Sequence, residues 1–205
     1  MLFRSFVAGT RIATVRGEIA VERLRVSDKV RAVLSGRWEP VTWIGRRVVD
    51  VTRHPRKDDV WPIRVAAHTF GSMQPGRDLW LSPHHGVYVG DALIPIGLLV
   101  DDRSIRRIHL PAVAYWHVEL ARHEVLLAEG LAAESYLDLG DRTDFLGAQG
   151  AFVSLFPSFG ARRHLGEGCA PWVVDGPELD AARALIAERA DLVARLAAQA
   201  AKAPV

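Results

Sequence analysis

A hydroxyl stands five residues into the chain. Ser5 follows Met1-Leu2-Phe3-Arg4 and precedes Phe6-Val7-Ala8-Gly9-Thr10. Two readings are open for it: Ser5 begins the first strand and does nothing more, or the Arg4–Ser5 peptide bond is itself a substrate. A second hydroxyl, Ser82, opens the stretch Ser82-Pro83-His84-His85, where a strand gives way to a tight turn. A serine three residues before a histidine lets a hydroxyl and an imidazole point into one pocket, and an imidazole can act as general acid or base near pH 7. Taken alone, the motif is equally well served by His85 bonding to neighbouring backbone. His117 and His123 lie six apart around a turn, and Glu119, Glu124, Glu129 and Glu134 are scattered rather than paired. That scatter gives no support to a two-carboxylate hydrolase, and the expectation is that most of these acids lie on solvated faces and turns.

Eight histidines in 205 residues raise the question of a metal. His84 and His85 are adjacent, so in extended backbone they face opposite sides and cannot comfortably share an ion. Neither a His-Glu-x-x-His helix nor the His/Cys spacing of a structural zinc site is present. The expectation is no metal and no cofactor. The single cysteine, Cys169, excludes an internal disulfide framework and leaves no thiol near the N-terminus.

Short strands must position these groups. Residues 6 to about 120 alternate between β-branched or aromatic runs and turn signals, with hairpins expected around Arg16-Gly17 and Ser35-Gly36. Period-two apolar alternation runs through Val41/Trp43, Val87/Val89 and Val118/Leu120. Pro40, Pro62, Pro83 and Pro95 limit the number of central strands in a flat sheet. From about residue 141 the chain turns loop-rich, with Phe-containing apolar patches, and then the spacing predicts a helix over about 177–202. Pro177 suits its first position, Glu178 and Asp180 follow, and Leu179, Ala182, Ile186 and Val193 share a face beside Leu185, Leu192 and Leu196. This stripe is expected to pack on its own domain.

Composition excludes other partners. With 26 Lys+Arg against 24 Asp+Glu, the net charge of +2 and the lack of a basic run give no track for a phosphate backbone, so no nucleic acid is expected. The longest apolar run, residues 92–100, is far short of the roughly 20 residues of a membrane span. No secretory apolar segment follows the start, and the expectation is a soluble cytoplasmic protein.

Four ordered blocks carry a resemblance: SFVAGTRIATVRGEIAVERLRVSDKV from Ser5, PVTWIGRR from Pro40, RDLWLSPHHGVYVGDALIPIGLLV from Arg77, and YWHVELARHEVLLAEGLAAESYLDLGDR from Tyr115. Together they resemble the Hint superfamily, the autoprocessing modules of hedgehog proteins and inteins, and most of all its bacterial Hint branch. The resemblance implies a mainly β, pseudo-twofold horseshoe with the N-terminus threaded into its centre. It also implies three divisions: a flank of residues 1–4, a Hint-like domain over 5–140, and an extension over 141–205 that ends in the helix.

By that resemblance Ser5 takes the nucleophile position. Its oxygen would attack the Arg4 carbonyl in an N→O acyl shift, Ser82 would hold the scissile peptide, His85 would protonate the departing nitrogen, and His117 is the candidate base. His123 would be structural. The chain's own N-terminal peptide is then the substrate, and water or a small nucleophile resolves the ester. The family more often uses cysteine, and a hydroxyl needs a positioned base where a thiol is partly ionised at neutral pH, so slow cleavage is expected. Inteins end the module in His-Asn, and those places hold Glu134-Ser135, so full splicing is not expected. The alternatives are a degenerate, non-cleaving Hint fold kept as a binding or structural module, and an unrelated β-rich domain.

Overall fold

The computed structural model describes residues 4–138, 146–147 and 168–200. The expectations for the N-terminal flank at 1–3, for the loop-rich stretch over most of 141–167, and for the helix beyond Ala200 lie outside the described residues. The strands of the first half are β1 (Phe6–Val7), β2 (Arg11–Thr14), β3 (Gly17–Ala20), β4 (Lys29–Arg31), β5 (Trp38–Asp50) and β6 (Ile63–Val65). They continue as β7 (Leu79–Leu81), β8 (Gly86–Val89), β9 (Ala92–Pro95), β10 (Ile105–Arg107), β11 (Ala112–Leu120), β12 (Val125–Ala128), β13 (Leu131–Glu134) and β14 (Leu146–Gly147). A single path, β10-β6-β7-β1-β11-β5-β4-β2-β12-β13-β8-β9, orders twelve of them, with β3 on β2 and β14 on β5. Neighbouring strands along this path run antiparallel, as short strands joined by tight turns must. The fold is therefore mainly β, with many short strands and one C-terminal helix.

The hairpins fall where turn chemistry puts them. Gly17 and Gly36 both adopt positive φ, at 94° and 68°, which a side chain would make costly. Pro62 and Pro83 stand just outside strands and Pro95 ends one, while Pro40 lies early in the long strand β5 opposite Lys29. The longest pairing joins β5 to β11 over nine partners, from Ala112↔Asp50 to Leu120↔Val41, with an irregularity at Glu119/Leu120. β1 is only two residues long, yet Phe6 pairs with Trp116 of β11 on one side and Leu81 of β7 on the other. Ile12, Ile44, Leu79, Leu81, Val87, Ile94, Val118 and Leu126 are fully or almost fully buried in the shared core.

The helix α1 (Pro177–Ala200) starts at the expected proline. Its first half packs as the apolar stripe requires: Leu179, Ala182 and Ile186 are buried in the same core. Its second half departs from that expectation, since Val193 and the flanking Leu192 and Leu196 stand 40–55% exposed. The stripe is continuous in sequence, but among the described residues only its first half is covered by the core. Arg183 donates to the Leu98 carbonyl and Arg189 to that of His68, and Arg103 pairs with Asp191 at 2.8 Å, so polar contacts carry the middle of the helix. Replacing Ile186 by alanine is expected to cost about 2–4 kcal/mol, and Leu196→Ala about 0.5 kcal/mol or less. Urea unfolding of the two variants measures the difference.

Candidate active site

The two pairings of β1 decide what surrounds Ser5. Continuing the register one residue backwards from Phe6 sets Ser5 across from His117 on β11 and from Ser82 at the end of β7. Three groups separated by 77 and 112 positions in sequence thereby meet at one point. Ser5 Oγ lies 2.9 Å from His117 Nε2. The Ser5 N–H donates to Ser82 Oγ at 2.8 Å, and the Ser82 N–H donates back to the Ser5 carbonyl at 2.9 Å. Ser5, Ser82, His85 and His117 are all buried. The four residues named from the sequence thus converge on the Arg4–Ser5 peptide.

His85 reaches the same point through its turn. Its N–H donates to the Ser82 carbonyl at 3.0 Å, its carbonyl accepts from Ile96 N at 2.9 Å, and its ring rests on Phe6 with centroids 4.4 Å apart. Nε2 lies 3.2 Å from the Glu134 carbonyl. A carbonyl can only accept, so Nε2 carries the proton in the neutral ring and Nδ1 presents its lone pair. Burial pushes the His85 imidazole down to about 4, against the opposing charge of Glu134 and the nearby backbone of Ser5. His84 turns the other way, half-buried beside Asp59.

His117 is held by an aromatic stack. Its ring meets Tyr136 edge-on at 4.7 Å, and Tyr136 in turn lies 5.1 Å from Trp43. Trp43 folds over Gly45, the register partner of His117, where an added Cβ would stand 2.1 Å from the Trp43 ring. Only glycine fits beneath that indole. Burial, then the neighbouring His85, holds the His117 imidazole well below its ordinary value, while the Arg4 backbone opposes the shift. Both histidines are therefore neutral at pH 7.

A charged cluster closes the other side. The carboxylate of Glu134, with no exposure, accepts from Gly86 N at 2.7 Å through Oε1 and from Arg4 Nη1 at 3.2 Å through Oε2. His123 Nε2 stands 3.3 Å from the same Oε2, and its Nδ1 accepts from Cys169 N at 3.0 Å. An accepting Nδ1 puts the His123 proton on Nε2, which donates to the Ser135 carbonyl at 3.1 Å and faces Glu134 Oε2 beside it. Burial would raise Glu134, but the bond from His123 and the positive charge of Arg4 carry it below the usual carboxylate value. Burial pushes the Cys169 thiol up to about 12, so the only cysteine is a protonated bystander at the edge of the site.

The acids correct one expectation. Glu124, Glu129 and Glu134 are buried, and only Glu119 is half-buried. Each buried acid is consumed by donors. Glu124 accepts from the N–H groups of Leu34, Ser35 and Val125, and Glu129 from Arg77 and the Arg11 N–H. The site functions of Arg4, Glu134 and Trp172 were not legible as motifs. A signal existed for one of them: Glu134 interrupts a run of apolar residues at the end of β13, where a solvated acid would break the alternation.

No helix among the described residues is long and apolar enough to cross a membrane. No curated protein matches the sequence. Solved structures with a similar fold include a bacterial intein-like domain from Clostridium thermocellum, at 16% identity over 65% of this chain and 99% of that one, with a TM-score of 0.45. The MchDnaB-1 intein follows at 13% identity, 64% and 99% coverage and a TM-score of 0.45. A DnaB intein from Synechocystis sp. PCC 6803 stands at 9% identity, 64% and 98% coverage and a TM-score of 0.43. The family model for the Hint domain matches residues 4–140, a span that opens on the Arg4–Ser5 bond and ends just past the Glu134 cluster. On that match the chain belongs to the Hint domain family, whose members are domains of the autoprocessing type.

Proposed function

We propose that this domain processes its own chain at the Arg4–Ser5 bond, by an N→O acyl shift followed by transfer of the ester to water or a small nucleophile. The observation that carries the reading is the pair of contacts on Ser5: Oγ 2.9 Å from His117 Nε2, and N–H held at 2.8 Å by Ser82 Oγ. Ser5 Oγ–H adds across the Arg4 carbonyl, and its proton passes to His117 Nε2. The C–N bond then breaks as protonated His85 delivers a proton to the Ser5 nitrogen, because an amide anion cannot leave. The products are an Arg4 ester on Ser5 Oγ and a free Ser5 amine. Attack by water or an added nucleophile breaks the C–O bond and restores the hydroxyl. Ser135 has no side-chain amide to cyclise, and its Oγ is engaged by the Glu124 N–H at 2.9 Å, so splicing does not follow.

A second reading, a non-cleaving Hint fold used as a binding or structural module, is favoured by the buried Arg4–Glu134 pair, which ties down the N-terminal flank of the intact chain. Intact-mass spectrometry after incubation with hydroxylamine separates the two. Loss of residues 1–4 is expected in the wild type, abolished by Ser5→Ala and slowed about 10²–10⁴-fold by His85→Ala or His117→Ala. Ser5→Cys should cleave about tenfold faster or more, since a thiol is the better nucleophile. An unchanged mass for both wild type and Ser5→Cys overturns the processing reading in favour of the second.

The pH dependence has a definite sign. With His85 titrating at about 4, its acid form is scarce at pH 7 and grows about tenfold per unit as pH falls, while His117, also held low, stays an available base. The cleavage rate is expected to rise about tenfold per unit from pH 7 to pH 5, and His85→Ala to flatten the profile. Stability runs the opposite way. Between the ordinary histidine value of 6.5 and the folded value of about 4, the unfolded chain binds the extra proton. Stability therefore falls as pH drops through that window, by about 3 kcal/mol for His85 alone at pH 4. Urea midpoints at pH 7 and pH 4 measure it.

A further inference from the structure

We infer that Glu134 and Trp172 form an arginine-selective subsite for the residue that directly precedes Ser5. The preference in cleavage rate rests on the processing reading above, whereas the recognition contact does not. The Arg4 side chain is only 7% exposed although it lies next to the described end of the chain. One nitrogen meets Glu134 Oε2 at 3.2 Å, and the guanidinium carbon lies 4.0 Å from the centroid of the Trp172 ring. A buried carboxylate and an aromatic face together fit a planar, delocalised cation. A lysine ammonium would satisfy the charge but stacks less well and gives up more hydration.

Three features show that the pocket is built rather than incidental. Glu134 is fully buried and fixed by Gly86 and His123, so its charge faces Arg4 without a solvent alternative. Gly86 leaves the needed room: a Cβ there would stand 2.8 Å from the Trp172 ring and 3.0 Å from Glu134 Oε1. Trp172 is delivered by a short parallel bridge to β9, in which Leu93 N donates to the Pro171 carbonyl at 2.8 Å and Val173 N to the Leu93 carbonyl at 3.0 Å. This last piece lies beyond residues 4–140, the span the Hint family model covers. The indole wall therefore lies outside the span that the family model covers. An apolar residue at position 4 would leave the buried Glu134 charge with only the Gly86 N–H and His123 beside it, and an acidic one would be repelled. Arg4 contributes the carbonyl of the bond that Ser5 would attack, so a hold on its side chain bears on the scissile bond directly.

The test varies position 4 in the full chain, as Arg4→Lys and Arg4→Met, in the wild-type, Trp172→Leu and Glu134→Gln backgrounds. Melting temperature and hydroxylamine-dependent cleavage are read for each. The Arg4→Met loss in melting temperature should shrink to less than half in Glu134→Gln and in Trp172→Leu, the signature of direct contact. Cleavage should fall about tenfold for Arg4→Lys and about 100-fold for Arg4→Met, losses in the range expected for a charged hydrogen bond and a stacked pair. In Trp172→Leu the Arg-over-Lys preference should collapse to within about twofold while the preference over Met persists. If Glu134→Gln fails to fold, Trp172→Leu, at a position 37% exposed, still carries both readouts. Additive melting shifts overturn the subsite. Equal cleavage of the Arg, Lys and Met chains overturns the selectivity and leaves processing standing. Absence of cleavage in every chain, Ser5→Cys included, with non-additive melting shifts, overturns processing and supports the subsite as a recognition contact.

Discussion

Everything at the centre of this domain depends on two residues of backbone. Phe6 and Val7 form a strand too short to be stable alone, and they persist because the ladder on either side was already bent to receive them. Pairing on both edges leaves Ser5 without an alternative position. Its amide and its carbonyl are both engaged by Ser82, and its hydroxyl by His117. The Ser5 backbone is thereby held through both its N–H and its carbonyl, and the bond just before it inherits that constraint.

The electrostatics follow from the same burial. Burying Ser5 takes Arg4 with it, and a buried guanidinium requires a buried anion. Glu134 meets that need, and its remaining lone pairs are filled by the Gly86 N–H and by His123. The desolvated surroundings that hold Arg4 also keep His85 and His117 uncharged. A neutral His117 suits a base. A neutral His85 must first acquire a proton to act as an acid, so the same low-polarity interior favours one half of the proton traffic and limits the other.

Much of this was legible from the sequence, and for identifiable reasons. Hairpins announce themselves through Gly17 and Gly36, the helix start through Pro177, and Ser5, Ser82, His85 and His117 through a resemblance carried by ordered blocks. Only the resemblance brought Ser82 and His117 to Ser5, because register across 77 or 112 residues is set by folding and leaves no local trace. The acids were misjudged for a related reason. Glu124, Glu129 and Glu134 each sit at a strand boundary, where an exposed turn acid and a buried acid collecting backbone N–H groups look identical in sequence. The helix was legible in length but not in its contacts, since a stripe of leucines reports what can be buried and not how much of it the core covers. Trp172 gave no signal, because its value comes from what lies beneath it.

The site is also assembled in a fixed order of synthesis. On the ribosome Arg4 and Ser5 precede the residues that surround them: Ser82 follows Ser5 77 residues later, His117 112 residues later, and Glu134 comes 130 residues after Arg4. The indole over Arg4 belongs to residue 172, close to the last helix. At a translation rate of about 5–20 residues per second, the Arg4–Ser5 segment waits several seconds or more before its neighbours exist. During that interval the Arg4–Ser5 bond is an ordinary peptide. It acquires its full surroundings only once residue 172 has been made, so the fold doubles as a clock that reads how far synthesis has passed the Arg4–Ser5 bond.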